Sequence, residues 1–538
     1  MDNPIYQRYA TIMPSVEGQE RFWQSKLPKT FWVNTLRVSI EEFQAIVEEE
    51  QLDCAPVAWN KAVYRAGKDF IPTKHWTFAA GLLQMQEEAA MHCAYLLNLK
   101  LGDLALDTCA APGNKSAQMA VLMQNEGSLI VNDMNFGRMR AFGQISKRLG
   151  LMNVTSCIYN AANLPKMPNY FDAIMVDVPC SCEGTFRKKW PKPQNPVSAE
   201  NSKGQAKRQL AILNKAIQLA KPGAHLVYST CTFSPYENEG VLTKALEKWG
   251  DQIELLPINI SNFETSSGIL KWEGVEFNAA CQKAGRIWPH QNNTGGFFMA
   301  LIRKRCEKPL DLGSPPVTGM TDLGVSGVSE PDMNLLSPGG RVKAHGASAQ
   351  LDLLSPSGRA KERSASAQLD LLSPSGRVKE RSDLERGSFK KDYLPDLQNR
   401  FGFPEQVFEK FTFHSPTKKG WYINPISTLI PDNLRRDATG LFFYKTAIKF
   451  PKLSTGSAMV FGKYATKNKI LLDEAGRDCY LAKDEQVVEE EQLLNVTSTG
   501  YVLVFYKTFC LGVGLYFSPT EHEASHRLRS LIDLKMFA

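Results

Sequence analysis

The 538-residue sequence predicts an α/β fold: a mostly parallel, doubly wound sheet between a small N-terminal α/β unit and a C-terminal β-rich domain. Three observations predict it. Short apolar runs alternate with helical patterns between about residues 76 and 305. The composition changes sharply after 305, and an aromatic, strand-rich pattern resumes near 391.

The first segment, 1–75, reads as a small α/β unit. Residues 31–36 form a candidate strand. Ser39 then caps a helix, with Glu42 three residues on and Phe43, Ile46 and Val47 on its apolar face. An amphipathic helix is expected over 82–97. In the 76–305 segment, strands are expected at 104–107, 128–132, 171–176 and 224–228, with helices near 115–124, 135–149 and 204–220. Strands separated by helices of that length need crossover connections, which make neighbouring strands parallel.

Between 306 and 390 the tetrad Leu335-Leu336-Ser337-Pro338 recurs at Leu353–Pro356 and Leu371–Pro374, an 18-residue spacing. Each copy is rich in Ser, Gly and basic residues and has few apolar side chains to bury. It therefore reads as a duplicated disordered linker rather than a solenoid. The 391–538 segment carries a strand run at 500–506 and Gly512 and Gly514 in the next apolar run. A closing helix is expected to contain His526 and Leu534.

Bulk properties exclude more than they select. Hydrophobic residues make up 43% and charged residues 22%, as in ordinary globular chains. The net charge of +7 is compatible with a nucleic-acid partner without requiring one. Eleven cysteines include no C-x-x-C pair, so zinc ribbons and thioredoxin-type chemistry lose their signature and no metal is expected. Without an apolar leader or a run of about twenty apolar residues, a soluble protein of the reducing cytoplasm, with no membrane partner, is expected.

Two regions carry candidate chemistry. Cys109, Ala110, Ala111, Pro112, Gly113, Asn114 and Lys115 follow the first strand of the sheet, where doubly wound folds bind ligands. Neither a G-x-G-x-x-G nor a P-loop pattern is present, which argues against a pyrophosphate and against an oxidoreductase. Asp133 ends the next strand, 20 residues beyond Gly113, where an acid grips a ribose diol. The second region is a pair of strand ends: Asp177-Val178-Pro179-Cys180-Ser181-Cys182-Glu183-Gly184 and Ser229-Thr230-Cys231-Thr232. Both should open onto one crevice, where two thiols and an acid suit covalent catalysis. Cys93, Cys157 and Cys281 read as inert core residues.

These runs resemble those of the Sun-domain RNA cytosine-5 methyltransferases. The resemblance extends over about 30–305 and includes Val33–Leu36, Gln86-Glu87, Glu237–Glu239, Arg286–His290 and Gly295–Phe298. It implies a Rossmann-like methyltransferase sheet that binds S-adenosyl-L-methionine at 109–115, Asp133, Asn160 and Asp177. Asn160 stands where the family usually has an acid near the adenine. Cys231 would add to carbon 6 of cytosine, Asp177 would hold the base edge as a hydrogen-bond donor, and Cys180 would help remove the carbon 5 proton. Lys115 and Arg187 are cationic candidates at the loop mouths, though ordinary surface charge explains them equally well. The layout is similar to the bacterial 16S ribosomal RNA methyltransferase F group, which implies ribosomal RNA or the small ribosomal subunit as partner and a PUA-like RNA-binding domain over 391–538. Transfer RNA or 23S ribosomal RNA as substrate, a DNA cytosine-5 methyltransferase using Cys180 as nucleophile, and a non-catalytic ribosome-assembly factor are the alternatives.

Overall fold

The computed structural model describes residues 3–15, 17–189, 195–306, 388–417, 420–446 and 452–537. The 18-residue repeats expected to form a linker lie outside the described residues.

The chain begins with two short helices, α1 (Pro4–Tyr9) and α2 (Glu20–Trp23). Strand β1 (Lys29–Val33) then leads into α3 (Ile40–Glu49). Ser39 and Glu42 form the expected capping box, and Phe43 and Ile46 are buried. Strands β2 (Cys54–Val57) and β3 (Asn60–Ala66), the turn α4 (Trp76–Ala79) and β4 (Leu83–Met85) complete an antiparallel sheet of order β2-β3-β1-β4. The helix expected over 82–97 therefore divides into β4 and α5 (Glu88–Leu96), capped by Glu87. A short apolar run fits either period. Here pairing of β4 with β1, Phe31 opposite Met85 and Val33 opposite Leu83, decides for strand.

The central sheet follows: β5 (Leu104–Asp107), α6 (Asn114–Leu122), β6 (Ser128–Asn132), α7 (Phe136–Leu149), β7 (Val154–Cys157), β8 (Phe171–Asp177), α8 (Ala199–Leu219) and β9 (Ala220–Thr230). All four expected strands form, and these five strands run parallel in the order β9-β8-β5-β6-β7. The chain winds outward from β5 in one direction and from β8 in the other, so the strand order reverses between β5 and β8. That switch point is where an open α/β sheet leaves a crevice. After α9 (Glu239–Trp249) come β10 (Ile253–Leu256), β11 (Ser266–Ser267), the hairpin β12 (Lys271–Trp272) and β13 (Val275–Glu276), β14 (Gly285–Ile287) and β15 (Phe297–Lys304). Strand β15 lies antiparallel against β9, and β14 and β11 extend that side.

The C-terminal segment contains two sheets. The first is β16 (Phe411–Thr417), β17 (Gly420–Pro425) and β19 (Leu441–Lys445). Between them in sequence, β18 (Arg436–Thr439) pairs antiparallel with β7 and covers the far edge of the central sheet. The second sheet consists of β20 (Lys469–Leu472), β21 (Glu485–Val487), β22 (Leu493–Leu494), β23 (Gly500–Tyr506), β24 (Phe509–Phe517) and β25 (Arg527–Ser530), in the order β21-β25-β24-β23-β20-β22. The closing helix expected around His526–Leu534 is replaced by β25. Leu528 and Ser530 face inward, while Arg527 and Arg529 reach Glu485. A period of two wins over helical propensity once a neighbouring strand supplies partners.

Two buried polar side chains tie the N-terminal sheet to the central one. Asn34 Nδ2 donates to the carbonyls of Gly81 (2.9 Å) and Leu149 (3.0 Å). Arg148, 1% exposed at the end of α7, donates to the carbonyls of Phe78 (2.9 Å) and Leu83 (3.0 Å) and to the Gln84 side chain. Burial lowers the Arg148 pKa to about 9, and the carbonyls supply its hydrogen bonds without a carboxylate. Arg148→Met should cost roughly 3 kcal/mol of unfolding free energy, because it leaves buried acceptors unpaired. The exposed Arg140→Met should cost less than about 0.5 kcal/mol. Chemical denaturation of both variants measures the difference, and equal losses would refute the clamp.

Candidate active site

Strand β5 ends at Asp107, which organises the loop after it. Its buried carboxylate accepts from Ser116 Oγ on α6 (2.6 Å) and from the Cys109 N–H (3.2 Å). Burial outweighs these hydrogen bonds and pushes the carboxyl up to about 7. Gly113 sits at φ +112°, and a Cβ there would lie 2.1 Å from the Phe142 ring. A side chain is excluded at the turn into α6 by both backbone and space.

The loop is anchored to β6 as well. The Ala110 N–H donates to the Asn132 carbonyl (2.7 Å), and the Ala111 N–H donates to Asp133 Oδ2 (3.2 Å). Arg138, which the sequence reading did not single out, stands 3.5 Å from Asp133 and also donates to the Ala111 carbonyl. Only its position in the first turn of α7, five residues after Asp133, would have marked it. Asn160 is exposed, and its side chain accepts from the Ala162 N–H in the turn after β7.

Strands β8 and β9 bring the two cysteine-bearing runs together. Their register places Asp177 opposite Ser229. Ser229 Oγ donates to Asp177 Oδ1 (2.7 Å), and Lys115 Nζ donates to Asp177 Oδ2 (2.8 Å). Burial works against the Lys115 charge, but the Asp177 carboxylate prevails and the lysine pKa is raised. Beyond them, Cys180 Sγ and Cys231 Sγ are 3.4 Å apart, and Cys182 Sγ is 3.9 Å from Cys180. Contacts with Cys182 and Cys231, together with burial, hold Cys180 well above the usual thiol range. For Cys231 the Cys180 contact works downward, but the Cys182 contact, burial and nearby charge outweigh it and push the thiol up to about 12. Both thiols therefore carry their protons at neutral pH.

Hydrogen bonds fix these two loops. Glu183 accepts from Tyr9 Oη (2.8 Å) and Thr232 Oγ1 (3.0 Å), tying α1 to both runs. Glu237 accepts from the Ser181 N–H (3.0 Å) and Gln209 (2.9 Å). The Gly184 N–H donates to the Cys231 carbonyl (2.9 Å), and a Cβ at Gly184 would lie 2.2 Å from the Gly296 carbonyl oxygen. Arg187 does not stand at the loop mouth as a phosphate contact. It is buried and donates to the carbonyls of Ser25, Lys26 and Thr294 and to Asn293.

A cavity of about 300 Å³ opens at the switch point. Its wall includes Cys109 to Lys115, Asp107, Arg138, Asp177, Cys180, Cys182, Lys188 and Cys231. Asp133 and Asn160 are not in that wall; Asp133 reaches it through Ala111 and Arg138. Cys93, Cys157 and Cys281 are buried. The cavity thus combines a closely approachable backbone, a lysine–carboxylate pair and two thiols in contact, a set suited to covalent and proton-transfer chemistry.

Asp107 gives a pH test. Its folded pKa lies above the ordinary carboxylate value, so the native state binds the proton more tightly than the unfolded chain. The stability it contributes is fully present below about pH 4 and is lost as pH rises towards 7. The melting-temperature advantage of wild type over Asp107→Asn should therefore shrink between pH 5 and pH 8. A gap that stays constant or widens would show that Asp107 is not held protonated.

The family described as 16S rRNA methyltransferase RsmB/F matches residues 94–303, the segment that builds this cavity. The tRNA (cytosine(49)-C(5))-methyltransferase of Pyrococcus abyssi is 30% identical over 309 residues, 56% of this chain and 96% of that protein. Ribosomal RNA small subunit methyltransferase F of Vibrio parahaemolyticus is 33% identical over 309 residues, 55% of this chain. The match spans 62% of that Vibrio protein's length, less than two thirds. A methyltransferase homolog from Pyrococcus horikoshii has a solved structure that is 28% identical, with a TM-score of 0.48 over 56% of this chain and 100% of that one. With nearly the whole P. abyssi enzyme covered at 30% identity, the chain belongs to the RsmB/F (Sun-domain) methyltransferase family.

Proposed function

We propose that this protein methylates carbon 5 of a cytosine in ribosomal RNA, 16S before other RNAs, through a covalent adduct at Cys231. The observation that carries this reading is the 3.4 Å contact of Cys180 and Cys231 beside Asp177, in the cavity walled by the 109–115 loop. The residues fit S-adenosyl-L-methionine. Ala110, Ala111 and Gly113 let a ligand approach the backbone, and Asp133, behind the wall at the β6 end, holds that loop through the Ala111 N–H and Arg138. Asp177 and Lys115 are in the cavity wall, while Asn160 is exposed beyond it in the turn after β7. When bound, the cofactor supplies an electrophilic methyl group on a cationic sulfonium.

The protein's own groups do the rest. Cys231 and Cys180 are neutral at rest; positive charge entering the cavity lowers their pKa values, and each then gives its thiol proton to solvent. The Cys231 thiolate adds to carbon 6, which makes carbon 5 nucleophilic enough to take the methyl group. Cys180, by then a thiolate, takes the carbon 5 proton and returns to a thiol, the sulfur–carbon 6 bond breaks, and the Cys231 thiolate is returned. Asp177 already accepts from Lys115 and Ser229, so it suits an acceptor role towards the cytosine amino group. Lys115, rather than Asp177, is then the donor that meets negative charge developing at ring nitrogen 3.

The C-terminal sheets serve as a PUA-like RNA-binding domain in this reading. Exposed Tyr464 between exposed Lys463 and Lys467 supports it, because a stacking ring beside cations suits single-stranded RNA. No helix among the described residues is long and apolar enough to cross a membrane. Transfer RNA is a second reading, favoured by the name of the P. abyssi relative.

The test is to incubate wild type, Cys180→Ala and Cys231→Ala with S-adenosyl-L-methionine and total RNA. Methylation is mapped by bisulfite sequencing and adducts are resolved on a denaturing gel. Cys231→Ala should lose methyl transfer by at least about 10³-fold and form no adduct, as loss of a covalent nucleophile does elsewhere. Cys180→Ala should accumulate a denaturant-resistant protein–RNA adduct whose strand identifies the substrate. An adduct requiring Cys180 but not Cys231 would reverse the two roles.

A further inference from the structure

Cys182 has no part in the chemistry proposed above, yet its placement is specific. It holds φ +60°, a left-handed backbone that glycine adopts without strain, and keeps a thiol there. That thiol is exposed at the cavity mouth and donates to the Cys180 carbonyl (3.3 Å). The Sγ atoms of Cys180, Cys182 and Cys231 all lie within 4.8 Å of one another, with two of the separations at 3.4 and 3.9 Å.

We propose that Cys180, Cys182 and Cys231 form a three-sulfur site for a thiophilic divalent cation of the zinc class. A tetrahedral cation about 2.3 Å from each thiolate sets the sulfurs about 3.8 Å apart, so small side-chain rotations complete the tripod. Three protein ligands leave a fourth position facing the cavity for water. Binding releases three thiol protons to solvent and leaves a net charge of −1 beside the Lys115–Asp177 pair, with exposed Lys188 in the same cavity wall. Occupancy ties up both thiols to which the proposed methyl transfer assigns the reaction, so the cation inhibits that reaction and a chelator restores it. The inhibition rests on that reading; the binding does not.

The test titrates full-length protein, reduced with a phosphine, with Co²⁺ as an optical probe. Wild type should saturate at one equivalent, with near-ultraviolet sulfur-to-cobalt absorption and the strong visible bands of tetrahedral cobalt. Cys182→Gly, which suits the backbone, and Cys231→Ser should each bind at least about tenfold more weakly, since even outer-shell losses cost that much. Cys306→Ser, at an exposed thiol elsewhere, should bind like wild type. No sulfur-to-cobalt band in wild type, or an undiminished band in Cys182→Gly, would overturn the site. In methyl-transfer assays, Cys182→Gly should need at least about tenfold more Zn²⁺ for half inhibition. Cobalt binding without any methyl transfer would sink the proposed function and leave the metal site standing.

Discussion

The parallel pairing of β8 with β9 is the constraint on which the rest of the cavity depends. With Asp177 opposite Ser229, the first residues beyond each strand end must share the same few ångströms of space. The carboxylate receives its serine partner from across the ladder, and the two thiols that follow come into contact. A slip of one residue would turn every side chain of a strand to the other face of the sheet. Such a slip is opposed by the apolar packing of both faces, since Ile174, Met175, Val176, Leu226, Val227 and Tyr228 are all buried.

Around that pairing, a group of buried polar side chains fixes the position of the loops. Glu183, Glu237 and Glu239 are buried carboxylates on or beside the two cysteine-bearing runs. Glu239 is paired with buried Arg286, which also donates to the Phe233 carbonyl two residues beyond Cys231. Breaking such a pair leaves a buried charge without its partner, so the loops are held by a cost of rearrangement rather than by many weak contacts. Aromatic packing adds shape. Trp23 stacks on Phe186 at 4.9 Å and Phe233 stacks on Trp288 at 5.1 Å, so α2 reinforces the cysteine-bearing runs from behind.

The terminal segments brace the central sheet at different places. The N-terminal sheet is fastened to α7 by Asn34 and Arg148, while Trp76 packs against Tyr506 at 5.1 Å in a core shared with β23 and β24. Strand β18 covers β7 on the side away from β9 and β15, so the sheet ends there in a four-residue strand. The switch-point cavity has Lys115, Arg138 and Lys188 in its wall. A negatively charged polymer meets cations there in either RNA reading.

Four of the five parallel strands and the helices between them were legible in the sequence, because buried parallel strands are short continuous apolar runs and crossover helices carry a 3.6-residue period; β7 (Val154–Cys157), a four-residue run with Thr155 and Ser156 in it, was not. The loop 109–115, Asp177, Cys180 and Cys231 were legible for a related reason: strand ends in such a sheet converge whatever lies between them in sequence. Local pattern failed where a partner decides the outcome. The 82–85 run became β4 because β1 offered it a ladder, and the His526–Leu534 segment became β25 because Glu485 and β24 did the same. Arg187 read as a surface cation because sequence does not show the two distant segments, 25–26 and 293–294, whose oxygens it satisfies. Arg138 and Cys182 acquired meaning only through distance, one against Asp133 and the other against two sulfurs, Cys231 lying 49 residues further along the chain. The sequence by itself thus determined the order of elements and the residues at the strand ends, since both follow from local periodicity. Tertiary structure alone decided which of those residues touch, because contact between distant segments is set by register and packing.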